Sequence, residues 1–205
     1  MKKAVIITGG EILSLSGLKK EEGDFFICAD SGIKSAQKLS VSPDVVVGDF
    51  DSYKEALPEN AISIIHPPIK DKTDTALAAE YAIEQGYTQI EIWGGTGGRL
   101  DHTVANIYLL YSLYQKGVKA MLCDGKNRVW LAKGNCEIEK GKEKYISVFP
   151  LFGDATGVSI LGAKYTLSDD TLSKGSSLGV SNEITGDKML LSVGQGLLLV
   201  IASSD

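Results

Sequence analysis

The rhythm of apolar and polar positions changes once along the chain, near residue 125. Before that point, short runs rich in Val and Ile occupy 4–7, 25–29, 45–47, 62–65, 90–93 and 120–123. Runs that are apolar at every position suit strands buried on both faces of a parallel sheet. Two intervening segments carry a helical rhythm instead. One extends from about residue 74 to 85 and stops at Gly86; the other extends from about 100 to 116 and stops at Gly117. In the second, Leu100, Val104, Ile107, Tyr111 and Tyr114 recur at helical spacing, a single stripe expected to face the core. A Gly just past each helix suits the left-handed residue that ends many helices. The alternation predicts an α/β domain over residues 1–125, an open, mostly parallel sheet flanked by helices.

Beyond that point the helical rhythm disappears. Strand-like runs at 128–133, 145–149, 157–161, 179–183, 188–193 and 197–202 follow one another, with turn signals such as Gly162 and Gly194-Gln195-Gly196 between them. Residues 126–205 therefore predict a small C-terminal antiparallel β-sandwich or barrel-like domain.

Composition narrows the functional classes. The 205 residues are 43% hydrophobic and 23% charged, which suits a globular chain with one or two cores. A net charge of -5, with the Lys clusters at 19–20 and 140–144 flanked by acids, argues against a nucleic-acid partner. No apolar run approaches the ~20 residues of a membrane span. The apolar part of the N-terminus is too short for a signal peptide, so the expectation is a cytoplasmic protein that does not engage membranes. Cys28, Cys123 and Cys136 form no paired motif, and with two histidines, His66 and His102, a zinc site is improbable. Cys28 and Cys123 read as buried, inert thiols.

The candidate chemistry sits where predicted strands end. Val47-Gly48-Asp49-Phe50-Asp51 sets two carboxylates two residues apart, so in an extended segment both face the same way. Without Cys or His nearby they suit a hard cation, Mg2+ above all; their bland alternative is a polar turn whose acids cap backbone N–H groups. Lys70-Asp71-Lys72-Thr73-Asp74 opens the first predicted helix. There Thr73 or Asp74 can cap the helix, Asp74 can also reach a metal, and the lysines can meet phosphate or simply stay solvated. Gly94-Gly95-Thr96-Gly97-Gly98-Arg99-Leu100-Asp101-His102 joins a strand to the second helix. Such a loop lets backbone approach a phosphate at a helix N-terminus, and Arg99 can grip phosphate with two parallel hydrogen bonds. Asp101 can hold metal or orient Arg99. Asp30 marks another strand-to-helix corner, where it can cap or touch substrate, and Thr8-Gly9-Gly10 is a weaker case of the same kind. Acids, glycines and an Arg at successive strand ends describe phosphoryl-type transfer from a Mg-nucleotide, without a covalent nucleophile. In the β half, Ser181 and Asn182 can read the donor and acceptor edge of a heterocycle, or can belong to a solvent-facing edge strand.

In their order, Gly-Asp-Phe-Asp-Ser at 48–52, Lys-Asp-Lys-Thr-Asp at 70–74, Gly-Gly-Thr-Gly-Gly-Arg-Leu-Asp-His at 94–102 and Gly-Val-Ser-Asn-Glu at 179–183 resemble the motifs of bacterial thiamine pyrophosphokinases. Gly-Ala-Lys-Tyr-Thr-Leu at 162–167 is similar to the same family, and the resemblance covers nearly the whole chain. It implies transfer of pyrophosphate from ATP to the hydroxyl of thiamine, with Mg2+, in a homodimer whose active sites are shared. It implies that 1–125 is the ATP/Mg-binding catalytic domain and 126–205 the thiamine-binding domain. Asp49, Asp51 and Asp74 would handle Mg2+ and pyrophosphate. Asp30, Asp71, Arg99, Asp101 and His102 would surround ATP, and Ser181 and Asn182 would meet thiamine. Asp74 or Asp101 would take the hydroxyl proton. Where the family usually has Asp-Gly-Gly, this chain has Asp30-Ser31-Gly32, which reduces backbone freedom at residue 31.

Overall fold

The computed structural model describes residues 2–14, 18, 21–50, 57–58, 60–67 and 71–205. The chain divides into two compact units, Met1–Gly125 and Lys126–Asp205.

In the first unit six strands, β1 (Ala4–Ile7), β2 (Phe25–Ala29), β3 (Val45–Gly48), β4 (Ile62–Ile65), β5 (Gln89–Trp93) and β6 (Lys119–Cys123), lie in the order β6-β5-β1-β2-β3-β4. Each neighbouring pair is parallel. Every residue of β1 and β3 is buried, because both faces of the sheet centre are covered. Helix α1 (Gly32–Lys38) sets Ile33 and Ala36 against Val5, Ile7, Phe26 and Cys28. Helix α2 (Asp74–Glu84) lies against β1, β2 and β3 and buries the small residues Ala78, Ala79 and Ala82, which allow close approach. Full burial of a Val, Ile or Phe side chain stabilises by about 1.5–3 kcal/mol, so the sheet centre is the main stabilising element of this unit. Burial also pushes the Cys28 thiol up to about 12, which makes it an inert core residue. The edge strand β4 departs from the expected burial: Ile62 and Ile65 are exposed, since an edge strand has a neighbour on one side only.

Helix α3 (Leu100–Gln115) has the expected bounds within a residue but a different phase. Leu100 is 75% exposed and Val104 45%, whereas Asn106, Leu110 and Leu113 are buried. The helix carries apolar residues on more than one face, and the longest-running stripe is not the one that packs. Both α2 and α3 stop as their glycines suggest. The amides of Gly86 and Tyr87 bond the carbonyls of Ile83 and Ala82, and those of Gly117 and Val118 bond Tyr114 and Leu113. This paired arrangement satisfies carbonyls that a helix end would otherwise leave open.

The second unit is antiparallel. It consists of β7 (Asn127–Glu139), β8 (Tyr145–Pro150), β9 (Ala155–Leu161), β10 (Leu167–Leu172) and β11 (Lys188–Ser203). The two runs expected at 188–193 and 197–202 are one strand. β11 pairs β7 along its length, with a register shift between Val193 and Leu198 where Gly194-Gln195-Gly196 forms a bulge. Its first part also pairs β9 and its last part β8, so one long strand serves two groups of partners. A shared core of Val148, Val158, Ile160, Leu172, Leu191, Leu198 and Val200 fills the interior. β10 was not foreseen, because Ser168-Asp169-Asp170 hides its pattern. The strand expected at 179–183 is absent. Only an isolated bridge joins Asn182 to Ile146, and a positive φ of 57° at Ser181 breaks the extended run.

Candidate active site

Parallel strands deliver their C-terminal ends to one edge of a sheet. In unit 1 that edge carries Thr8-Gly9-Gly10 after β1, Asp30 after β2, Asp49 after β3, Gly94-Gly95-Thr96 after β5 and Asp124 after β6. Chain order reverses at β1, which has β2 on one side and β5 on the other. Open α/β sheets bind ligands at such a reversal, outside the strand ends. From β3 to β5 the edge spans three strand spacings, about 14 Å.

At the reversal the loops pack backbone to backbone. A Cβ at Gly10 would collide with the carbonyl oxygen of Gly94, and one at Gly94 would come within 2.8 Å of the carbonyl oxygen of Gly10. Thr8 secures the contact: its hydroxyl donates to the Trp93 carbonyl at 3.2 Å and accepts from the Gly10 amide at 3.3 Å. The glycine-rich loop then divides in two. Gly94, Gly95 and Thr96 are buried, while Gly97, Gly98 and Arg99 are exposed. Gly97 and Gly98 have positive φ of 95° and 72°, and a Cβ on Gly98 would meet nothing within 4 Å. The inner half serves packing and the outer half faces open space.

Arg99 is the N-cap residue of α3 but caps nothing with its side chain. Its guanidinium forks onto Asp101, with Nε donating to Oδ1 at 3.1 Å and Nη2 to Oδ2. The hydrogen bond from Arg99 holds the Asp101 carboxyl down at about 2. Asp101 Oδ1 also accepts from the His102 amide, and His102 is exposed. Both partners of the pair are mostly exposed, at 73% and 64%. An exposed pair is held weakly, so Arg99 can exchange this carboxylate for another anion at low cost.

The remaining residues are distributed as follows. Asp49 is half-buried directly after β3, whereas Asp51 and Lys70 lie outside the described residues. Thr73 caps α2, accepting from the Ala76 amide at 3.2 Å, so Asp74 sits in the first turn, where a negative charge is favourable. Asp71 is exposed in the bend before it. Lys72 is engaged by Glu80 at 2.7 Å. Asp30 itself takes the left-handed φ of 46°, while Ser31 has an ordinary helical φ of -64°. The corner therefore asks no special freedom of residue 31, and Ser fits there.

In unit 2, Ser181 is exposed and its amide donates to Ser147 Oγ at 3.0 Å. Asn182 is 5% exposed and its amide side chain is engaged internally. Oδ1 accepts from the Tyr165 and Glu183 amides, and Nδ2 donates to the Tyr165 carbonyl at 2.6 Å. Its backbone N–H and C=O both pair with Ile146. Asn182 thus ties three segments of the unit together.

Sequence reasoning missed Asn106 and Asp124. Asn106 is buried at 6% and donates to the Gly95 carbonyl at 2.8 Å. A polar residue inside an apolar helical run was its signal, obscured by the misphased stripe. Asp124 directly follows a predicted strand, the same signal that marked Asp30 and Asp49.

Two family profiles match the chain. One, described as "Thiamin pyrophosphokinase, catalytic domain", matches residues 18–122; the other, "Thiamin pyrophosphokinase, vitamin B1 binding domain", matches 135–198. A thiamine pyrophosphokinase of Bacillus subtilis is 34% identical over 100% of both chains. The crystal structure of a thiamine pyrophosphokinase from the same organism superimposes with a TM-score of 0.89, 31% identity and full coverage of both chains. A thiamin pyrophosphokinase structure from Geobacillus thermodenitrificans gives 0.86 at 28% identity, covering 100% of this chain and 98% of the other.

The packing at the reversal makes a stability prediction. Gly10→Ala forces the two loops apart and should cost about 1–3 kcal/mol or more. Gly98→Ala meets no atom and should cost only about 1–2 kcal/mol for its left-handed backbone. Urea denaturation of the two variants checks the order. A Gly10→Ala protein as stable as wild type would mean that the loops separate freely.

Proposed function

The chain belongs to the thiamin pyrophosphokinase family, and we propose that the strand-end edge of unit 1 is where it handles ATP. Pyrophosphate passes from ATP to the hydroxyl of thiamine: a bond forms between the hydroxyl oxygen and the β-phosphorus, the bond from that phosphorus to the α-phosphate oxygen breaks, and AMP leaves. The observation that carries the reading is the alignment, across a reversal of strand order, of Asp30, Asp49 and the open half of the 94–98 loop with Arg99. Gly97 and Gly98 offer backbone N–H groups beside a helix start, which favours phosphate. Arg99 exchanges Asp101 for a phosphate oxygen pair, and Asp101 keeps the guanidinium oriented until then. Asp74 or Asp101 would receive the hydroxyl proton, Asp101 being released once Arg99 turns to phosphate.

Asp49 and Asp74, with Asp51, would hold Mg2+, and Asp71 and His102 would flank the nucleotide. The donor set is carboxylate oxygen, the chemistry of a hard cation, and Mg2+ needs only one or two protein carboxylates when phosphates complete its shell. When bound, the ion neutralises charge on the transferring phosphates. In unit 2, Ser181 is the polar group we assign to thiamine, with Asn182 at its base. The unit is read as the thiamine-binding β-sandwich, and 1–125 as the catalytic domain. Leu100 and Val104, exposed apolar residues on α3, support a homodimer, as apolar surface at an interface does. Shared active sites and a cytoplasmic location complete the proposal.

Three outcomes test these assignments. AMP should form only when ATP and thiamine are both present, and Asp49→Asn should slow it about 100-fold while the protein stays folded. Undiminished turnover at saturating Mg2+ would remove Asp49 from the metal site. The depressed Asp101 carboxyl is ionised above the ordinary carboxylate range, and its pairing is lost only as pH falls through about 2. Asp101→Asn should therefore lower kcat/KM without moving the acidic limb of its pH profile, which reports the free enzyme. A shifted limb would make Asp101 the titrating base. Finally, sedimentation should give twice the 21.9 kDa of one chain, and a monomer at assay concentration would end the shared-site reading.

A further inference from the structure

In Gly94-Gly95-Thr96-Gly97-Gly98, Thr96 carries the only side chain beyond hydrogen. It is therefore the only residue of this segment that can anchor it through a side chain of its own. Its hydroxyl donates to Asp124 Oδ2 at 2.6 Å, across 28 residues of sequence. Asp124 is 2% exposed and Thr96 9%. The Asp124 carbonyl also accepts from the amides of Leu13 and Ser14, at 2.7 and 3.2 Å. Burying a carboxylate is costly unless it is hydrogen-bonded, and an apolar pair of similar size would fill the same space without that cost. The acid therefore needs a reason beyond packing.

We propose that Asp124 is a positioning residue for the phosphate-facing turn: through the Thr96 hydroxyl it fixes the point at which the loop passes from buried to exposed. Immediately beyond Thr96 come Gly97, Gly98 and Arg99, the groups assigned above to the ATP phosphates. Glycines lose more conformational freedom on ordering than any other residue. A loop that must be ordered at each binding event binds more weakly than one already held in place. The Asp124–Thr96 bond is charge-assisted and short, the kind that can hold a segment otherwise made of glycine. Two weaker ties act on the backbone beside it, from Asn106 to the Gly95 carbonyl and from the Gly97 amide to Thr103 Oγ1. The proposal rests on the reading that this loop faces ATP.

Thr96→Val removes the hydroxyl at nearly constant volume, and Thr96→Ser keeps it. Loss of a charge-assisted bond predicts an ATP KM raised about tenfold in Thr96→Val, with the thiamine KM within about twofold of wild type. Thr96→Ser should remain close to wild type, and Thr96→Val combined with Asp124→Asn should cost less than the sum of the two single changes, as expected of residues that interact. Amide hydrogen exchange over 95–99 should accelerate in Thr96→Val, a readout that does not need turnover. An unchanged ATP KM, an equal rise in both KM values, or a Thr96→Ser protein as impaired as Thr96→Val would overturn the proposal. If Thr96→Val does not fold, Asp124→Asn carries the same comparison with a smaller expected effect, and an unchanged ATP KM there overturns it equally. If wild type forms no AMP from ATP and thiamine, the activity reading fails; unaltered exchange over 95–99 in the variant is the separate failure of the positioning role.

Discussion

The contact between Gly10 and Gly94 is the constraint on which the rest of unit 1 depends. Neighbouring parallel strands run about 4.8 Å apart, and loops that leave them on either side of a reversal normally diverge. Here the loop after β1 instead touches the loop after β5 through glycine backbone on both sides. Thr8 locks the contact with its hydroxyl, and the Gly94 amide bonds the Cys123 carbonyl on the next strand. The floor of the crevice is therefore backbone, tied across β1, β5 and β6. The start of α3 is set by that floor, because only Gly95 to Arg99 separate the two.

A floor of backbone leaves the exposed side chains to the rim. The exposed pair Arg99–Asp101 is an unfavourable choice if stability is the aim, since exposed ion pairs contribute little. It is a sensible choice if the cation must be aimed yet exchangeable. The Cys28 thiol stays outside that chemistry: it lies in the covered sheet, where burial favours the neutral form.

Much of this was legible in the sequence, and the failures have physical causes. Strand ends carrying Asp30, Asp49 and the glycine loop were readable because fully covered strands are apolar at every position and stop abruptly. Helix α3 was misphased because Leu100, Val104 and Tyr108 form an exposed apolar face that competes with the buried face of Leu110 and Leu113. Hydrophobic periodicity reports that a face is apolar, not which neighbour covers it. In unit 2 a bulge at 194–196 looked like a turn, since glycine marks both. The role of Asn182 was legible only in part: its sequence setting shows a polar residue among small ones, while its bonds to Tyr165 depend on a contact 17 residues away.

Asn182 and Asn106 solve one problem in two different settings. Irregular backbone buried beside a sheet has N–H and C=O groups that no ladder can satisfy. An Asn amide offers both a donor and an acceptor on a short, stiff side chain, and so can stand in for a neighbouring strand. Asn106 does this with its donor, on the Gly95 carbonyl. Asn182 does it with both ends, pairing the N–H and the C=O of Tyr165 as a strand residue would. Among the described residues every buried side-chain nitrogen and oxygen has a hydrogen-bond partner, which such substitutions make possible. Asp could supply only the acceptor and Leu neither, so at both positions the amide is fixed by the backbone it completes. A motif residue can thus be demanded by its own segment's architecture, and exposed neighbours such as Ser181 are not held by that demand.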